Sequence, residues 1–321
     1  MLDKAGILRT MLAAGLLFGG TSVAQAEYPE KQVRVIAPYL PGGGSDLVAR
    51  AMASRLSKRL GQPFVVDNVT GAAGMIAAEA LVKSAPDGYT IMVDALGLAI
   101  NPSIFKTSYD AKKDIAPVAK LGDLPFILVT NPNVPYKSVA ELIAETKAKP
   151  GRVPVAAAGN STRMAAEVFR IQAGIQFAFI PYRGGAQANT AILSGETPII
   201  FSDLPSVAPY VDSGQMTALG VSSPERWPSL PKVPTIAEAG LPGYNVMSWY
   251  AVFAPAKTPQ AIINRLNKEI VEIVQEPDMV AQLEKLGARP GRENVDQFTT
   301  FFHTELDRWA EINKQAGVKP Q

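Results

Sequence analysis

Three short glycine-rich stretches carry the residues best suited to chemistry. Tyr39-Leu40-Pro41-Gly42-Gly43-Gly44-Ser45-Asp46 follows an apolar run and precedes a helical pattern. Glycines let such a turn bend tightly, and free N–H groups at the helix start favour an anion. A ligand-free strand-to-helix turn explains the same spacing equally well. Gly71-Ala72-Ala73-Gly74 and Ala158-Gly159-Asn160-Ser161-Thr162 repeat the arrangement. Three such loops, each after an expected strand, describe a cleft lined by backbone donors that takes carboxylate or phosphate without formal positive charge. Arg163 adds a bidentate grip on a carboxylate or is a surface arginine of the first helical turn. Asp94 and Asp203 each end an expected strand. Each accepts a ligand's amino or hydroxyl group or caps nearby backbone.

Other chemistry finds less support. No Gly-Lys-Ser/Thr completes a Walker loop, and no G-x-G-x-x-G appears, so no nucleotide or other cofactor is expected. The chain has no Cys and a single His, His303. That removes thiol catalysis, disulfides, Cys-based metal sites and H-E-x-x-H, and no metal is expected. Ser103–Lys106 and Ser229–Lys232 match S-x-x-K, but the second contains Pro231 and neither has a companion signature. His303 lies among Phe298, Phe301 and Phe302, a packing environment rather than that of a catalytic base. No catalytic residue is assigned.

The elements that must position these loops can be read along the chain. Residues 1–26 have a basic start at Lys4 and Arg9, an apolar stretch over 11–18, and Ala24-Gln25-Ala26 as a small-x-small site. This is the pattern of a secretory signal cleaved after Ala26, and it predicts export. The remaining pattern alternates strand, turn and helix, with strands expected at 33–37, 64–66, 89–93, 126–130, 153–157, 177–180, 199–201 and 217–221. Val48, Met52, Leu56 and Leu60 mark one face of a helix expected to be capped by Ser45. Ser138-Val139-Ala140-Glu141 has capping-box spacing. The C-terminal part reads as helical from Thr258-Pro259 onward. Such alternation is the sequence form of a parallel sheet covered by helices.

The expected fold class is α/β, with a ligand cleft between two lobes. Lobe 1 comprises 27–127 and 247–321, and lobe 2 comprises 128–246. The 31 Lys plus Arg against 29 Asp plus Glu, dispersed along the chain, exclude a dedicated nucleic-acid binder. With 47% hydrophobic and 19% charged residues the chain is an ordinary globular one, expected to be monomeric.

An ordered set of segments identifies a resemblance. Tyr28-Pro29, Pro41-Gly42-Gly43 with Asp46 and Ala49-Arg50, Leu60-Gly61-Gln62-Pro63 and Pro86-Asp87-Gly88-Tyr89-Thr90 begin it. Ile100-Asn101-Pro102, Lys113-Asp114, Pro181-Tyr182-Arg183-Gly184-Gly185 and Leu230-Pro231-Lys232-Val233-Pro234-Thr235 continue it. Glu238-Ala239-Gly240-Leu241-Pro242-Gly243-Tyr244 and Arg265-Leu266-Asn267 complete it. The set resembles the Bug-type solute receptors of tripartite tricarboxylate transporters.

The resemblance implies a periplasmic Venus-flytrap receptor, type II-like, that closes on a small organic carboxylate and delivers it to a membrane permease. By the same resemblance the ligand contacts are Tyr39, Gly43, Gly44, Ser45, Ala72, Ala73 and Gly74 in the first lobe. Gly159, Asn160, Ser161, Thr162, Tyr182 and Asp203 follow in the second. This chain departs from relatives at Arg163, where many carry His, and at Asp94, where a small residue is usual. If both face the cleft, the ligand carries a second carboxylate near Arg163 and a polar or amino group near Asp94. Tyr39, Tyr182 and Trp249 either flank an aromatic ring or pack. Two other readings stand beside transport: a receptor that presents its ligand to a signalling partner, and a secreted hydrolase using Ser45 or Ser103.

Overall fold

The computed structural model describes residues 28–318, so the signal-peptide expectation for 1–26 lies outside the described residues. The first unit runs β1 (Val33–Ala37), α1 (Gly44–Leu60), β2 (Phe64–Asn68), a 3-10 turn (Ala72–Gly74), α2 (Met75–Val82), β3 (Thr90–Ala95), α3 (Gly97–Ile104) and α4 (Ala111–Asp114). A 16-residue strand, β4 (Ile115–Thr130), leads into α5 (Val139–Ala148), β5 (Val153–Ala157), α6 (Asn160–Ala173) and β6 (Phe177–Pro181). The chain continues through α7 (Gly185–Ser194), β7 (Ile199–Asp203), α8 (Leu204–Asp212) and β8 (Thr217–Val221). It closes with β9 (Met247–Pro255), α9 (Gln260–Val274), α10 (Pro277–Lys285), β10 (Arg289–Pro290) and α11 (Val295–Gln315).

The strands form one sheet in the order β2-β1-β3-β9-β4-β7-β5-β6. β1 pairs in parallel with β2 and β3, and β5 pairs in parallel with β6 and β7. The inner strands β1, β3, β5 and β7 are buried along most of their length and are mainly apolar, whereas the edge strands β2 and β6 leave residues such as Val65 and Ile180 exposed. Val33, Val35 and Ala37 pack beneath α1 and α9, while Ile36 faces the opposite layer with α2 and α3. In α1 the Val48, Met52 and Leu56 stripe is buried as its spacing predicts. Ser45 is not its cap: Gly43 holds that position, and Ser45 lies in the first helical turn, itself buried.

β4 joins two half-sheets. Its residues Ile115 to Pro125 pair antiparallel with β9, and Phe126 to Thr130 pair with β7. On the β9 side its end pairs instead with β8. Ser222 N–H donates to the Phe126 carbonyl, and Val246 N–H donates to Ser222. β8 and β9 therefore lie almost end to end, and residues 223–246 make an excursion between them. The chain thus crosses twice between two α/β lobes. In both lobes the carboxyl ends of the parallel strands, where ligands of open α/β sheets bind, face the crossing strands.

Candidate functional site

The first glycine turn is fixed by a buried carboxylate. Asp46 Oδ2 accepts from the Gly42 N–H at 2.9 Å and from Arg50 Nε at 3.0 Å. Its Oδ1 accepts from Asn68 Nδ2, which also donates to the Tyr39 carbonyl, each at 2.9 Å. Burial pushes the Asp46 carboxyl up, but these bonds and the Arg50 charge hold it below the usual range. Gly42 has φ of +89°, where only glycine is unstrained. Gly44 is required for a different reason: a Cβ there would lie 2.2 Å from the Tyr250 hydroxyl. Tyr250, on β9, therefore reaches the start of α1.

The second turn holds two non-glycine residues in left-handed geometry, Ala72 (φ 45°) and Ala73 (φ 54°). Such residues persist only where neighbours over-determine them. Here Asn101 Nδ2, on α3, donates to the Ala73 carbonyl at 2.7 Å. The same Asn101 accepts at 3.2 Å from Asn160 Nδ2 at the start of α6, so one buried amide ties this turn to the second lobe. Tyr39 is wedged alongside, its hydroxyl 2.9 Å from where a Cβ on Gly97 would be.

These parts enclose a cleft of about 530 Å³ between the lobes. Helices α1, α6, α7 and α8 start at or beside it, and none receives a hydrogen bond from its N-cap side chain. Their first N–H groups are thus available to an anion. Charge in the lining comes from Arg183 and Asp203, both in the second lobe. Desolvation by the surrounding walls raises the pKa of Asp203, although its side chain remains exposed to solvent. Burial, and then the negative charge of Asp203, pushes the Tyr250 phenol up.

The structure brings together Tyr39, Gly43, Gly44, Ser45, Ala73, Gly159, Asn160, Ser161, Thr162 and Asp203 around this volume. The remaining sequence candidates lie elsewhere. Ala72 and Gly74 form the turn without reaching the lining. Asp94 is buried under the cleft floor, accepting from the Ala95 N–H at 2.7 Å, and burial pushes its carboxyl up to about 7. Burial, and then the charge of Asp94, raises the phenols of Tyr39 and Tyr109. Arg163 turns away to Phe179, 5.2 Å from the ring centroid, with Glu167 at 3.6 Å. Tyr182 bonds Thr197 Oγ1 at 2.6 Å and packs into the second-lobe core. Trp249 is fully buried beside Phe301 and Phe302.

The sequence reading missed Arg183, Asn101, Ser248 and Tyr250, all in the lining. Arg183 carried a signal: it adjoins Gly184-Gly185 at a helix start, as Ser45 adjoins its glycines. Ser248 and Tyr250 line the cleft because β9 alternates its side chains between two faces. Ser103 lies on α3, donating to the Ile100 carbonyl and accepting from Asn313, outside the lining.

Comparison with known proteins agrees with this architecture. The sequence profile described as "Tripartite tricarboxylate transporter family receptor" matches residues 48–318. Protein BugT of Bordetella pertussis is 37% identical over 305 residues, covering 92% of this chain and 93% of its own. Among solved structures, R. palustris Rpa4515 with adipate superposes with a TM-score of 0.81 at 32% identity, covering 92% of this chain and 100% of that one. MatC (Rpa3494) from Rhodopseudomonas palustris with bound malate gives 0.76 at 29% identity, covering 89% and 99%.

Proposed function

Because the chain belongs to the tripartite tricarboxylate transporter receptor family, we propose that it is a periplasmic, non-catalytic receptor for a small organic carboxylate, exported by a signal cleaved after Ala26. It acts as a monomer and hands its ligand to the membrane permease of the transporter. One observation carries this reading: helix starts without side-chain caps converge from both lobes on a single cleft that also holds Arg183. Adipate and malate in the two related structures are the nearest guides to ligand size.

In this reading the ligand's first carboxylate accepts from the N–H groups at the start of α1, in the loop locked by Asp46. A second acidic or polar group meets the α6 start and Arg183, and Asp203 accepts from a hydroxyl or amine where one is present. A ligand touching both lobes favours the closed form by its contacts in that form alone. The lobes are those expected from sequence, 27–127 with 247–321 and 128–246, and their relative position is what the permease reads.

A thermal-shift screen of residues 27–321 tests the proposal against malate, adipate, other dicarboxylates, citrate, aromatic acids, amino acids and neutral sugars. A ligand at 100 times its Kd stabilises the folded protein by about 2.7 kcal/mol. A dose-dependent shift with a carboxylate is expected. Shifts with neutral or cationic compounds alone would overturn the ligand class.

A further inference from the structure

A second cavity of about 380 Å³ lies behind the crossing strands. Strand alternation fixes its side: Leu124 and Ser248 face the cleft, whereas their neighbours Asp123 and Met247 face this second cavity. The two volumes are thus separated by the thickness of β4 and β9. Side chains from both lobes meet across the rear one.

From the first lobe, Arg289 on β10, held by backbone pairing opposite Asp123 of β4, lays its guanidinium 4.2 Å from the Trp227 ring centroid. It also donates to the Arg226 carbonyl at 3.4 Å and lies 3.7 Å from Glu225. Arg308 on α11 donates to the Asn245 carbonyl at 2.5 Å. All four partners belong to the 223–246 excursion. Trp227 is itself a member of a buried cluster that includes Ile200, Leu204 and Val207 of the second lobe. Two first-lobe arginines therefore hold a second-lobe segment, on the face opposite the ligand.

We propose that the Arg289–Trp227 stack, assisted by Arg308, is a hinge strap that holds the lobes apart and sets the open-to-closed ratio of the free receptor. Bending about the crossing strands brings surfaces together on one face and separates them on the other. Closure over the cleft must therefore draw Arg289 off Trp227. The strap opposes closure by the strength of that stack, and ligand contacts have to exceed it. The apparent Kd is the intrinsic one divided by the closed-competent fraction, so a residue remote from the cleft tunes affinity. The exposed Glu225 adds little. The planar stack on a buried ring supplies most of the effect, which Lys cannot reproduce.

Small-angle X-ray scattering of the ligand-free protein tests this independently of the ligand's identity. Arg289→Ala is expected to lower the radius of gyration, shifting the open-to-closed ratio by about three- to tenfold. Arg289→Lys should fall between it and the wild type, and Glu225→Ala should stay near the wild type. With adipate as calorimetric probe, Arg289→Ala should bind tighter by the same factor. No heat with adipate in either protein would exclude adipate as a ligand, leaving the scattering result to decide on the strap. A radius of gyration unchanged or increased in both Arg289 variants, with melting temperatures showing that both are folded, would overturn the proposal.

Discussion

Asn160 Nδ2 donates to Asn101 Oδ1 at 3.2 Å, joining the start of α6 in one lobe to α3 in the other. Asn101 spends its own donor on the Ala73 carbonyl, so the contact also holds the left-handed turn in shape. Asn101→Ala should cost about 0.5–1.5 kcal/mol of stability, because the Ala73 carbonyl loses its part-buried hydrogen bond. It should also weaken ligand binding, since the turn and α6 lose their common anchor. Chemical denaturation and calorimetry would measure the two effects. Unaltered binding would mean that the second turn is not part of the receptor surface.

Asp46 makes a sharper separation between positioning and contact. Its carboxylate is buried and faces Gly42, Arg50 and Asn68, while the ligand in our reading meets the N–H groups of the same loop. Asp46→Ala should cost about 2 kcal/mol or more of stability and reduce affinity at least tenfold. A stable variant with wild-type affinity would show that the loop does not need this clamp.

The two arginines near α6 and α7 should behave oppositely. Arg183→Ala removes a charged donor from the cleft lining and should weaken carboxylate binding by about 1.5–3 kcal/mol. Arg163→Ala removes a cation stacked on Phe179 and should change affinity less than threefold. Calorimetry on both variants, with the acid found by thermal shift, decides between them.

Asp94 gives stability a pH dependence. Burial raises its folded pKa from 3.8 to about 7, so between these values the folded state holds a proton that the unfolded state has lost. Its contribution to stability therefore falls as pH rises through that window, and the full penalty is present above about 7. Asp94→Asn keeps an acceptor for the Ala95 N–H and removes the charge. Its stability advantage over the wild type should grow from pH 4 to pH 8, to an upper limit of roughly 4 kcal/mol. Urea denaturation across that range measures it. An advantage independent of pH would show that Asp94 does not titrate there.

Much of this architecture was legible wherever local pattern and tertiary environment agreed. β1, β5 and β8 match their apolar runs residue for residue, because each is bounded by proline, glycine or polar turns. Of the crossing strands only the end of β4, expected at 126–130, was legible. β4 contains Pro117, Gly122 and Pro125, which argue against a central strand. The structure accommodates them through register shifts against β9 between Pro117 and Ala119 and between Lys120 and Gly122. β9 is a nearly continuous apolar run ending in Pro255, with no alternation to reveal its two faces. Missing it also hid Tyr250, whose place at Gly44 is a long-range contact. The glycine loops stood out because their composition is local. Which of the two readings left open for Arg163 and Tyr182 applies was not legible, because their partners Phe179 and Thr197 are set by tertiary packing.

The most direct test of the central claim is an amide ¹H–¹⁵N titration of residues 27–321 with the acid that raises the melting temperature. Backbone recognition predicts that the largest downfield shifts fall on Gly43, Gly44 and Ser45, with a second group at Asn160, Ser161 and Thr162. Shifts confined to residues around Trp227 and Arg289, or to the surface outside the cleft, would contradict it.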